Sequence, residues 1–152
     1  MATKGTSTQT GDATAWTDEE RAAMKEHAAE LKRAGGKGAA KKAEEARACL
    51  EKIAEMPDSD RVLAERIHAI VTSTAPDLDV KTWYGMPAYA RDGKVVCFFK
   101  PAVKFKARYA TLGFDDAAAL DEGGMWATSF GITQLTEDDE QRIADLVRRA
   151  TS

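Results

Sequence analysis

Two runs of carboxylates are the densest concentration of potential chemistry in the chain. Asp115, Asp116, Asp121 and Glu122 form one run, and Glu137, Asp138, Asp139 and Glu140 form the other. Hard cations are held by several oxygens at once, so such runs suggest weak divalent or ferrous ion binding. The first run is the candidate metal set. The second has a plainer role available, because anions in a helix's first turn are favoured by its dipole, by about 0.3–1 kcal/mol each. No cofactor is expected, ferrous iron being the one ion these residues bring into consideration.

Cations show a different pattern. Lys104, Lys106 and Arg108 alternate with Val103, Phe105, Ala107 and Tyr109, a period of two that places the charges on one face of a strand. Lys81, Lys94 and Lys100 extend that face, depending on register. A surface of this kind suits a phosphate-bearing ligand, RNA or an acidic partner, or it simply keeps an open sheet face from pairing with another. Few aromatic residues share it on this assignment, so neither a base-stacking surface nor a nucleic-acid partner is expected. Trp83, Tyr84, Met86 and Tyr89 gather around Gly85 and Pro87, where, as for Trp126, they line a small pocket or join the core. With Lys104, Lys106 and Arg108 they are the candidate ligand-binding set.

Catalytic combinations are missing from the sequence. His27 and His68 are the only histidines and stand far apart in it. Neither Ser73, Ser129 nor Cys97 has a recognisable base, and no Gly-x-Ser-x-Gly or phosphate-loop pattern occurs. Cys49 and Cys97 offer no metal-ligand spacing and no disulfide framework. The expectation is a non-enzymatic binding module.

The elements that must position these residues follow from periodicity. The 152 residues are 43% hydrophobic and 31% charged, with a net charge of −3. That is enough for one domain with a real core, and it gives no global grip on nucleic acid or membrane. No apolar run is long enough for a membrane span, and the polar start is unlike a signal peptide, so a cytoplasmic protein is expected. Residues 1–16 are expected to be disordered, 17–56 to form a helical arm and 57–152 an α+β domain.

In the arm, Thr17 and Glu20 make a capping box, Gly35-Gly36-Lys37-Gly38 breaks the run, and a second helix spans about 39–55. Its apolar face (Cys49, Leu50, Ile53, Met56) is thin, so the expectation is a mobile or loosely docked hairpin, available to fold onto a protein partner. In the domain, Asp58 or Ser59 caps a helix whose Leu63, Ile67, Ile70 and Val71 make one stripe. Strands are expected at 80–84, 86–90, 95–100, 103–109 and 126–132, with Gly85 as a bulge or kink and Asp92-Gly93 as a hairpin turn. A short helix at 115–120 and a last helix capped by Thr136, with Ile143, Leu146 and Val147 inward, complete the chain. The fold class is α+β: an antiparallel sheet of about 4–5 strands with helices on one face and the other open to water.

At Trp83-Tyr84-Gly85-Met86-Pro87-Ala88-Tyr89, followed by Asp92-Gly93-Lys94 and Val95-Val96-Cys97-Phe98-Phe99, the chain resembles the YdhG-like family of small domains of unknown function. The resemblance covers about residues 58–150. Some members are described as frataxin-like iron chaperones, which implies an α+β fold and delivery of ferrous iron. The chain departs from those members at Lys104-Phe105-Lys106-Ala107-Arg108-Tyr109 and at Gly124-Met125-Trp126-Ala127-Thr128, so no iron-binding residue carries over by motif.

Overall fold

The computed structural model describes residues 16–33 and 38–152. Of the expected disorder at 1–16, residues 1–15 lie outside them, as does the glycine break at 35–37. Thr17 caps the first helix, α1 (Asp18–Arg33), by accepting from the backbone N–H of Glu20 at 3.1 Å. Helix α2 (Gly38–Glu55) follows, then α3 (Asp58–Thr74). Neither Asp58 nor Ser59 caps α3: Pro57 stands at the cap position, and Asp58 turns to Arg61 instead.

Five antiparallel strands then run in sequence order: β1 (Asp79–Trp83), β2 (Met86–Arg91), β3 (Lys94–Lys100), β4 (Ala110–Phe114) and β5 (Ser129–Ile132). The closing helix α4 (Glu137–Thr151) has the expected Thr136 cap, with Asp139 returning a bond to the Thr136 backbone. The whole of the second acidic run is thereby absorbed into the first turn of α4.

Both short hairpins rest on left-handed residue pairs. Asp92 and Gly93 have φ of 52° and 80°, and Tyr84 and Gly85 have 53° and 75°. Gly85 therefore belongs to a two-residue turn between β1 and β2, where a bulge was expected. A real bulge occurs in the β2–β3 pair, where the register shifts between Tyr89 and Ala90.

Three expected elements differ. Residues 103–109 are a folded loop: Lys106 is left-handed at φ 52°, and Ala107 N–H closes onto Ala102 C=O at 2.9 Å. The strand lies just after it, at β4. Residues 115–120 form turns closed by Ala118 N–H on Asp115 C=O, too short a segment for a helix to propagate. Only the last four residues of the expected strand at 126–132 pair with β4.

Strand alternation sorts the sheet into two faces. Tyr89, Cys97 and Phe114 stand opposite one another across β2, β3 and β4, as do Phe99 and Leu112. They meet Leu63, Ile67 and Val71 of α3, Ile143 and Val147 of α4, and Cys49 and Ile53 of α2 in one buried core. The second helix of the arm is thus built into the core, and the hairpin is more than a loose attachment. Burial pushes the thiols of Cys49 and Cys97 up to about 12, which keeps both protonated and unreactive near neutrality.

Tyr89 is fully buried on this face, and its hydroxyl meets His68 Nδ1 at 2.9 Å. Burial holds the His68 pKa below its ordinary 6.5. A ring whose folded value is depressed contributes stability in full above the unfolded value, and loses it as pH falls through the folded value. Melting temperature is therefore expected to fall from pH 7 to pH 5. His68→Gln, which retains a partner for Tyr89, should flatten that slope, and an unchanged slope would show that His68 does not couple folding to pH.

Candidate functional site

The other sheet face carries a different row: Lys81 stands opposite Ala88, Ala88 opposite Phe98, Phe98 opposite Gly113, and Gly113 opposite Ser129. One step along, Lys100 stands opposite Thr111, and Thr111 opposite Gly131. This face is made of small residues with aromatic rings laid over them. A Cβ on Gly113 would come within 2.2 Å of Phe98 Cζ, so the Phe98 ring lies across that glycine. Trp83 packs edge-on to Phe98 at 5.3 Å and to Tyr84 at 5.2 Å.

Helix α1 approaches this face at the β1–β2 turn and makes a groove of about 510 Å³ with it. Phe98 and Met86 of the sheet line one side, Trp16, Ala23 and Met24 another, and Tyr84 and Phe105 contribute to the rest. Trp16 and Met24 are 55% and 42% exposed, so much apolar surface here faces water. The size is typical of a small-molecule site. Lys100 borders the groove with its ammonium 5.1 Å from the centre of the Phe105 ring. Among the described residues no carboxylate lies within 4.0 Å of Lys100 Nζ. Glu20, the acidic residue bordering the groove, is engaged with the Thr17 hydroxyl.

The groove is held by charged contacts. Glu30, 8% exposed, accepts from the backbone N–H groups of Tyr84 and Gly85, each at 2.9 Å. His27 stacks on Tyr84 with ring centres 4.0 Å apart. Lys104 pairs with Glu26 at 2.8 Å, and Lys106 with Glu19 at 2.7 Å. Asp60, 2% exposed, accepts from Ala102 N–H and Val103 N–H at 3.0 and 2.9 Å, fixing the loop that carries Phe105.

Of the residues singled out in the sequence, Tyr84 and Met86 line this groove, Trp83 packs behind it against Tyr84 and Phe98, and Tyr89 lies elsewhere. The turn at Tyr84-Gly85 preserves the pairing of Trp83 with Met86, but Tyr89 lies three positions beyond Met86 and faces the core. Lys104, Lys106 and Arg108 make no cationic row, since their segment is not a strand. The two lysines fasten α1 to the loop, and Arg108 lies over the Tyr109 ring at 5.0 Å. Phe98, Phe105, Trp16 and Met24 were missed. Alternation through Val95–Lys100 could have flagged Phe98 and Lys100 as sharing a face, but the continuous apolar run hid which face it was.

The first acidic run is divided. Asp115, Asp116 and Asp121 border a cavity of about 390 Å³ beside Trp126, and Glu122 turns to Arg149 at 3.5 Å. Among the described residues, no three His, Cys, Asp or Glu side chains gather closely enough to hold a metal ion. No described helix is long and apolar enough to cross a membrane. No protein-family model, curated protein or solved structure matches the chain.

Proposed function

We propose that this chain is a non-enzymatic binding module that takes a planar, apolar ligand bearing an anionic group. The ligand lies in the groove between α1 and the open face of the sheet. The observation that carries this is the pairing of aromatic walls with Lys100, a cation without a carboxylate partner among the described residues. Aromatic walls give area and orientation to a flat ligand, and an ammonium at the rim selects an acid over a neutral analogue. The resemblance to the YdhG-like domains at 83–99 is in keeping with a binding role, because it brings no catalytic residues with it. A binding role is supported by the buried, protonated thiols of Cys49 and Cys97 and by Ser73, whose hydroxyl donates to Ile70 C=O.

Naphthoate, followed by tryptophan fluorescence, is the probe. Saturable quenching is expected with naphthoate and weaker binding with neutral naphthamide. Lys100→Met should weaken naphthoate by about tenfold or more, since a bond to a charged group is worth about 1.5–3 kcal/mol. It should leave naphthamide unchanged. Absence of saturable binding, or equal naphthoate affinity in the Lys100→Met variant, would overturn the proposal.

A further inference from the structure

The open face continues past the groove in a way that a single small acid does not use. A Cβ on Gly131 would lie 3.0 Å from the Tyr109 ring, so this ring also rests against a glycine of the sheet. Gly113 pairs with Ser129, two residues before Gly131 on β5. The two glycines are therefore diagonal neighbours, about 7–8 Å apart. Phe98 and Tyr109 thus mark two stacking positions set side by side on adjacent strands, and Tyr109 is 41% exposed.

Cations outnumber anions on this face, where Glu20 borders the groove and accepts from the Thr17 hydroxyl. Lys81 lies in the same cross-strand row as Phe98, Lys100 stands beside Thr111, and Arg108 covers Tyr109. Among the described residues none of these three has a carboxylate within 4.0 Å. The nearby Lys104 and Lys106, in contrast, are neutralised by Glu26 and Glu19. Asp79 shares the alternation of Lys81 but is paired with Lys42. Unpaired cations interleaved with rings on a sheet are what a flexible polyanion with flat groups requires: phosphates meet the cations and bases stack on the rings. A duplex keeps its bases stacked on each other and offers none to the rings.

Resting on the groove assignment above, we infer that the ligand of this face is a segment of single-stranded nucleic acid. One base enters the groove at Phe98 beside Lys100, and the next stacks on Tyr109 in the place of Arg108, whose guanidinium turns to the adjoining phosphate. This runs against the expectation of no nucleic-acid partner, which rested on the net charge of −3 and on the lysines of 103–109 forming a strand face with few rings.

The test is fluorescence anisotropy of a labelled twelve-nucleotide RNA, with single-stranded DNA and an RNA duplex of the same sequence, alongside naphthoate titration of the same samples. Saturable binding of the single strands that weakens with added salt is expected, with little binding of the duplex. The double variant Arg108→Gln, Tyr109→Ala should weaken RNA about tenfold or more and leave naphthoate affinity unchanged. Both side chains lie outside the core, and an unchanged melting temperature checks the fold. Equal affinity for RNA and DNA strands supports the inference, because stacking and phosphate contacts are common to both. If naphthoate binds and no single strand does, the inference falls and the groove assignment stands. If neither binds, both fall. Duplex bound as tightly as single strands, or RNA affinity untouched by the double variant, also overturns it.

Discussion

Replacing Asp60 with alanine is expected to lower the free energy of unfolding by about 2–4 kcal/mol, among the largest effects of any single substitution in this chain. Its two carboxylate oxygens each accept one backbone N–H, from Ala102 and Val103, and the side chain is 2% exposed. Bonds to a charged group are worth more than neutral ones. Their loss also leaves two donors facing a site that water reaches poorly. Asp60→Asn recovers little, because its amide group has one acceptor oxygen and would turn an NH2 toward the second N–H. Urea unfolding of both variants measures this. A loss below about 0.5 kcal/mol, the range of an ordinary surface change, would mean that the loop after β3 is held by something else. The consequence reaches the groove, since that loop carries Phe105, Lys104 and Lys106. Naphthoate binding should weaken in the Asp60→Ala variant even where the protein is still folded.

That anchor shows why part of the molecule was legible in the sequence and part was not. Helices α3 and α4 announce themselves because their stripes are buried against a single core: Ile67, Val71 and Val147 have no exposed surface. The Asp92-Gly93 turn is equally plain, because its backbone conformation is one that few residue pairs adopt. The segment 103–109 was misread because alternation has two sources. In a strand it reflects two faces of a sheet. Here it reflects lysines turning one way to meet Glu26 and Glu19 of a helix distant in sequence, and no local pattern distinguishes the cases.

The acidic partners were equally opaque. Glu26 and Glu30 read as part of a solvated helix face, while Asp60 reads as an ordinary first-turn carboxylate. Their partners are backbone N–H groups and lysines some 42 to 78 positions away along the chain. The groove depends on those long-range contacts. Its individual aromatic residues were partly identified, but its composition, with Trp16 and Met24 from the arm facing Phe98 from β3, could be seen only after folding.

Glu30→Ala is expected to release α1 from the sheet while the rest of the fold persists. The helix contributes little apolar burial of its own: Ala23 is 4% exposed, but Met24 and Leu31 are 42% and 62% exposed. Burying one methyl-sized side chain is worth only about 0.8 kcal/mol. The Lys104–Glu26 and Lys106–Glu19 pairs are partly or largely exposed on at least one side, and such pairs contribute about 0–1 kcal/mol. Glu30 stands apart: its carboxylate receives two N–H bonds from a turn held in a left-handed conformation, and it also meets His27 Nδ1 at 3.3 Å. Loss of those bonds to a charged acceptor should cost about 1.5–3 kcal/mol, moderated because water can reach the freed turn. Since 1.4 kcal/mol is a factor of ten, amide exchange in α1 should accelerate by about tenfold to a hundredfold, with exchange in β2, β3 and α4 unchanged. Naphthoate affinity should fall in parallel, because the wall formed by Trp16, Ala23 and Met24 is then present only part of the time. Exchange in α1 that stays as slow as in the parent protein would assign the docking to the His27–Tyr84 stack and the lysine pairs. Faster exchange with undiminished naphthoate affinity would place the ligand on the sheet face alone, with α1 outside the binding site.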